Sequence, residues 1–289
     1  MYLICKPILE PTLSDRQHGF RPRKSTITNL LESYHLIYKT LGKRTHIDMV
    51  TIDMSKAFDT IDRSILITKL KAKGIKEPLI NSIEYILKHK KQQVLIRDCK
   101  SNPLPVTSGV PQGSVLSPLL FAAFIDDLLS SVHYAYTISY ADDIKIISES
   151  SKDLQNEIDR IYNWATCNHM DINVVKCESI HCGPKNPKAI YYINNSAIPQ
   201  VSNLRDLGLQ IDDRLTFREH TVKTRQKCLR IIGLIFRIIH VRDAEAYLLL
   251  YKTCVLPIIE YCAIIYSLVS HSNINFLEGI QRKFTTPLF

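Results

Sequence analysis

TISYADDIKIIS, residues 137–148, alternates apolar and polar side chains around a two-residue centre, Ala141 and Asp142. Ile138 and Tyr140 lead in, and Ile144 and Ile146 lead out. This is the sequence form of a β-hairpin with a tight turn, and it holds Asp142 and Asp143 rigidly at the tip. A second β-rich run, MVTID at 49–53, ends on another carboxylate, Asp53. If the two β elements are neighbours, the carboxylates converge, and they repel one another unless cations lie between them. Mg2+ is held by one or two carboxylates together with substrate phosphates. A pair of such ions about 3.5–4 Å apart stabilises both the attacking and the leaving oxygen of a phosphoryl transfer. An Asp-Asp pair alone is equally a common turn-former, so the surrounding sequence has to decide.

Upstream, GFRPRKS (19–25) reads as a basic loop before a helix in which Ile27, Leu30, Leu31, Tyr34 and Ile37 recur at helical spacing. Asp62 can cap a helix carrying Ile65, Leu66, Lys69 and Leu70 that stops at Gly74, and Pro78 starts another with Ile83 and Leu87 inward. QQVLIR (92–97) looks like a strand, NPLPVTSGVPQGS is a loop, and Ser117 and Pro118 open a helix to about Ser131. Downstream come an amphipathic helix from Ser151 to Asn168 with Leu154, Ile158, Ile161 and Ala165 on one face, a strand-like VKCESIHC, and a hairpin around Asn194 and Asn195. Beyond residue 215 the pattern turns helical. Val222, Leu229, Ile232, Phe236 and Ile239 form one stripe, and Lys223, Lys227, Arg230 and Arg237 form another.

With 289 residues the chain is long enough for one large or two modest cores. Its net charge of +9 suits a polyanion or an acidic membrane surface, and composition does not choose between them. Between Arg214 and Arg242 stand eight basic residues and one acidic one. The N-terminus MYLICKPILEP has no secretory pattern, so the eight cysteines are expected to be reduced thiols in a cytosolic or nuclear protein, not a secreted one. Cys167, His169, Cys177, His181 and Cys182 match no paired zinc-ligand spacing. The apolar run 246–269 carries Lys252, Pro257 and Glu260, which favours a pair of buried helices broken near Pro257 over a membrane span.

IDMSKAFDTID (52–62), GVPQGSVLSPLLF (109–121) and YADD (140–143) resemble, in order, the motifs lettered A, B and C of reverse transcriptases. RQHGFRPRKST (16–26) is similar to the fingers motif of LINE-type and group II intron enzymes. WATCNHMDINVVKCES, LRDLGLQIDDRLTFREH and the tail from LLLYKTCVLPIIEYC to IQRKF resemble the motif D region, the approach to the thumb and the segment after it in non-LTR retrotransposons. The resemblance implies an α/β right-hand polymerase: partial fingers and an antiparallel-sheet palm over 1–215, then a helical thumb and C-terminal helical extension over 216–289. It implies RNA-directed DNA polymerase activity on an RNA template and DNA primer with dNTPs, using two Mg2+ ions or Mn2+ in their place, with no membrane attachment and no obligate protein partner.

Carried over residue by residue, the resemblance makes Asp53 and Asp142 metal ligands, with Asp143 the adjacent carboxylate. Phe58 becomes the aromatic under the incoming sugar, leaving no room for a 2′-hydroxyl; the bland alternative is a core ring. Gln112 packs beside the nucleotide, and Gly109 and Gly113 let the backbone approach closely. Arg21, and with it Arg23, would hold the triphosphate, although a basic surface loop reads the same way. Lys176 would be a general acid for pyrophosphate or a plain solvated lysine. Lys223, Lys227, Arg230 and Arg237 would lie along a template-primer duplex, or, as a basic amphipathic helix, on a membrane.

Two features depart from the family. The sequence begins about fifteen residues before the fingers motif, so upstream fingers strands are expected to be absent, as separately are an endonuclease domain and a Cys/His-rich tail, and Asp206 stands where an aromatic is usual. The competing readings are a retroelement remnant that binds nucleic acid without polymerising, and an unrelated metal-dependent nuclease, which would not account for GVPQGS or Phe58.

Overall fold

The computed structural model describes residues 1–43, 46–130, 133–239, 244–266 and 271–286. They form two compact units, Met1–Gln200 and Val201–Phe289.

The first unit is built on a four-stranded antiparallel sheet of β1 (Ile47–Ile52), β2 (Tyr136–Tyr140), β3 (Asp143–Ser148) and β4 (Glu178–Cys182), in the order β2-β3-β1-β4. The hairpin is in the expected register, with Tyr140 opposite Asp143. β3 then pairs with β1, Ile52 opposite Ile144. Side chains alternate across the sheet. Val50, Ile52, Ile144 and Ile146 join the main core, which also takes in Leu120, Phe121 and Phe124 of the Ser117–Ser130 helix and Leu154, Ile158 and Ile161 of the Ser151–Cys167 helix. The Thr26–Leu41 helix packs on β1 and β2 through a face of Leu30, Tyr34 and Ile37, while Leu31 is exposed.

Local chemistry sets most helix ends. Asp62 accepts from Ser64 N (2.8 Å) and Ile65 N (3.2 Å), capping Arg63–Ala72, and Gly74 leaves that segment at φ +91°. Removing such a cap costs about 1 kcal/mol. Asn194 and Asn195 both adopt positive φ in the turn between Tyr192–Ile193 and Ser196–Ala197. The expected strand 92–97 is instead two short ladders, Lys91–Gln92 with Leu104–Pro105 and Leu95–Ile96 with Cys99–Lys100. Val94, Leu95 and Ile96 are exposed there, because among the described residues nothing covers either face of the ribbon.

In the second unit, Asn203–Asp206 pairs with Leu209–Asp212, and the Asp212 carboxylate accepts from Arg214 N, Thr216 N, Thr216 Oγ1 and Phe217 N at 2.8–3.1 Å, fixing the entry to the Arg218–Ile238 helix. This hairpin packs on that helix, so the compact units divide at Gln200–Val201, ahead of the division expected at 215. The inner face of the helix is Thr221, Thr224, Cys228, Ile232 and Ile235. It is turned from the expected stripe, and Val222, Leu229 and Phe236 are only half-buried. Burial of Thr221 is tolerated because its hydroxyl donates to Arg218 O within the helix. The run 246–266 is broken three times: a π-turn at Tyr251–Val255, Leu256–Glu260 with Pro257 in its first turn, and Cys262 at φ +59° before Ala263–Tyr266. Leu248, Leu249 and Ile264 are exposed, so these segments are only partly buried. Among the described residues no helix is long and apolar enough to cross a membrane.

Candidate active site

β1 delivers Asp53 to the edge of the sheet where β3 begins, and the hairpin turn delivers Asp142 to the same edge. Burial raises the Asp142 carboxyl, the Asp53 charge raises it further, and a bond from its own backbone N–H offsets part of the rise. Asp143 heads β3 on the exposed side.

The donor set fits a hard cation. The nearest sulfur, Cys177 Sγ, accepts from Asp53 N at 3.5 Å, but burial pushes its thiol up to about 11. The carboxylate oxygens of Asp53 and Asp142 at the sheet edge suit Mg2+ or Mn2+. Among the described residues no three His, Cys, Asp or Glu side chains close around one point. The rest of a shell would come from phosphate and water, as Mg2+ prefers.

Lys176 reaches this edge through a break in the sheet. β4 pairs with β1 as far as Thr51–Glu178, and the ladder resumes at Met54–Ile172 in another register. Between them the 3-10 turn Val174–Lys176 is thrown out, putting Lys176 Nζ 4.0 Å from Asp53 Oδ2, with the lysine side chain 67% exposed.

Phe58 is half-buried and stacks on Phe121, while Phe20 meets it edge-on with centroids 6.0 Å apart. Above it runs the GVPQG loop. Val110 N donates to Phe58 O, and Gly109, at φ +72°, lies so close that a Cβ there would come within 2.6 Å of Phe58 O and Asp59. Gln112 is exposed and donates to Asp59 Oδ1 at 2.8 Å; Gly113, at φ +77°, has open space beside it. Arg21 is not turned to this site. Its side chain is 9% exposed, with Nε on Glu10 Oε1 at 2.8 Å and Nη1 on Ser14 O at 2.5 Å, so the guanidinium pins the loop to the preceding turn. Arg23, at φ +62°, is exposed.

Some side chains that fix the first unit carry no motif signal. Arg63 donates to Gly109 O, Val106 O and Ser108 O at 2.6–2.9 Å, fixing the loop beside Phe58. Glu157, fully buried, takes bonds from His133, Thr137 and Arg160 at 2.6–2.7 Å. Its place three residues after Leu154 and four before Ile161, on the inward stripe, was a usable signal.

In the second unit Lys223, Lys227, Arg230 and Arg237 are all exposed on the Arg218–Ile238 helix. Lys223 and Lys227 line a cavity of about 480 Å³ with Arg205, Gln210 and Tyr261, and Lys223 also pairs with Glu219 at 2.6 Å.

The antiparallel sheet and the helices packed on it have the fold of a right-hand nucleic-acid polymerase. The chain belongs to the reverse transcriptase (RNA-dependent DNA polymerase) family, whose profile matches residues 2–236. It is 27% identical over 94% of its length to a probable RNA-directed DNA polymerase from transposon BS of Drosophila melanogaster, covering 32% of that protein. It is 26% identical over 92% of its length to the RNA-directed DNA polymerase from mobile element jockey of Drosophila funebris, covering 31%. The chain thus spans about a third of the length of these relatives. Apo telomerase from Candida tropicalis shares the fold at a TM-score of 0.55 and 13% identity, over 98% of this chain and 48% of that one.

Proposed function

We propose that this chain is an RNA-directed DNA polymerase of non-LTR retrotransposon type, adding dNTPs to a DNA primer on an RNA template. The observation that carries the reading is the meeting of Asp53 and Asp142 at one sheet edge, where the charge of the first raises the carboxyl of the second. In this reading Asp53 and Asp142, with Asp143 beside them, hold two divalent cations, Mg2+ or Mn2+. Such ions, when bound, stabilise the attacking and leaving oxygens of the phosphoryl transfer.

The chain's own residues orient the substrate and move the proton. Phe58, backed by Phe121, fills the space a 2′-hydroxyl would need. Gln112 and Gly113 border the nucleotide, and Arg23 takes the triphosphate contact that Arg21, committed to Glu10, does not supply. Lys176 donates a proton to the departing pyrophosphate. Lys223, Lys227, Arg230 and Arg237 contact duplex phosphates without reading bases. We assign palm and fingers to the first unit and thumb to the second, in the cytosol or nucleus.

Primer extension on a primed RNA template tests this directly. Extension with dNTPs that a chelator stops and Mg2+ restores is the expected result. Duplex binding without extension would make the chain a nucleic-acid-binding remnant.

A further inference from the structure

Asp142 follows a residue in an unusual conformation. Ala141 sits at φ +56° in the first central position of the hairpin turn, a region that L residues other than Asn and Asp avoid and that Gly occupies readily. Ala141 is nevertheless 5% exposed, so its backbone N–H and C=O need partners. Both come from one side chain. Gln17 Oε1 accepts from Ala141 N at 2.9 Å, and Gln17 Nε2 donates to Ala141 O at 3.2 Å.

Gln17 is fully buried and is itself held in place. The segment Arg16–Gly19 lies along β2: His18 N donates to Ser139 O and Ser139 N to Arg16 O, both at 2.9 Å, in a parallel bridge centred on Gln17 and Ser139. Gly19 N donates to the same Gln17 Oε1 at 2.7 Å. A Cβ at Gly19 would lie 2.3 Å from Ala141 N, so the close approach requires glycine. Every polar atom of the Gln17 carboxamide is thereby aimed at the turn or at the strand that supports it.

We infer that Gln17 is a positioning residue for Asp142: its carboxamide locks the left-handed Ala141 and so fixes where the next carboxylate points. The inference rests on reading Asp142 as a cation ligand. Removing the carboxamide orphans three buried backbone groups, Ala141 N, Ala141 O and Gly19 N, and the turn relieves its own two by leaving the left-handed region. That swings Asp142 off the edge it shares with Asp53.

The test is Mn2+ binding by the full chain without nucleic acid, followed by the electron paramagnetic resonance of the free ion. The share of binding lost in Asp142→Asn defines the site. Gln17→Met, of similar length but unable to bond, should weaken that share about tenfold, as loss of an outer-shell support does. Ile83→Val, a core change in the Glu77–Lys88 helix, serves as a stability control and should bind Mn2+ as the wild type does. If Gln17→Met does not fold, Gln17→Glu takes its place: ionised, it keeps the two accepted bonds and replaces the donated one by a repulsion with Ala141 O. Its added negative charge favours cations, so weaker binding by the folded variant points to misplacement. Wild-type affinity in the Gln17 variant, or an equal loss in Ile83→Val, overturns the inference. If Asp142→Asn itself binds Mn2+ as the wild type does, the cation-ligand reading fails and the role of Gln17 falls with it.

Discussion

The rings of Phe58 and Phe121 lie nearly parallel, 18° apart with centroids separated by 4.4 Å. Phe121 is fully buried in the Ser117–Ser130 helix, so Phe58 rests on a fixed floor while itself staying half-buried. Replacing Phe58 with Val should therefore admit ribonucleotides. We expect the ratio of kcat/KM for ribonucleotide over deoxynucleotide to rise about tenfold or more, with a smaller loss on deoxynucleotides. An unchanged ratio in an active variant would make the ring a core residue only.

Asp53→Asn and Asp142→Asn should each cut primer extension by about three orders of magnitude or more, which corresponds to ~4 kcal/mol of transition-state stabilisation. Thermal unfolding should stay where it is or move upward, since each change removes a repulsion between neighbouring carboxylates. Substantial activity in either variant defeats the assignment.

Changing Lys223, Lys227, Arg230 and Arg237 together to Ala should weaken duplex binding alike for all sequences. It should also flatten the dependence of log K on log salt by roughly 0.9 per lost contact on B-form DNA. Lys223, already paired with Glu219, should account for the least of this when changed alone. A wild-type slope on duplex, with lost binding to anionic vesicles, would make the helix a membrane-surface element.

Glu157 and His220 should respond to acid in different windows. Burial alone would raise the Glu157 carboxyl, but bonds from His133, Arg160 and Thr137 outweigh it and hold the group at about 2. With a folded pKa below the unfolded one, its stabilisation is present above about 4.5 and is lost as pH falls toward 2. Glu157→Ala should cost about 3–5 kcal/mol at neutral pH, measured by urea unfolding, because it leaves the half-buried Arg160 charge without its carboxylate.

Burial lowers His220 to about 4, and its Nδ1 accepts from Gln210 N at 3.3 Å, which requires that nitrogen to be unprotonated. Between about 6.5 and 4 the unfolded chain binds more protons. Stability of the second unit should therefore decline by up to about 3 kcal/mol as pH falls through that range. His220→Phe should flatten the decline, and a decline of equal size in that variant would count against the histidine.

Where a local rule and the tertiary structure agree, the sequence was legible. The 137–148 alternation, the Asp62 cap, the Asn194–Asn195 turn and the Leu154–Ile161 stripe all satisfy themselves within a few residues, and all form as expected. The misses depend on groups far apart in the chain. Nothing near Gln17 indicates that its amide closes on Ala141, and nothing near Arg63 indicates three loop carbonyls. Arg21 matches its motif, yet Glu10 claims it, and a motif does not record which acid competes. The strand expected at 92–97 has the right composition but no covering layer. In the Arg218–Ile238 helix, buried threonines displaced the stripe that hydrophobicity alone selects.

The strand order β2-β3-β1-β4 puts the earliest-made strand in the interior of the sheet, with both of its partners later in the chain. On a ribosome β1 emerges with two bare edges. At ~5–20 residues per second, the roughly 90 residues before β3 take on the order of 5–20 s. For that interval an apolar strand with unpaired N–H and C=O groups is open to pairing with other chains. Yield of soluble protein should therefore depend on translation speed across residues 53–142, even though none of the residues in between pairs with β1 itself.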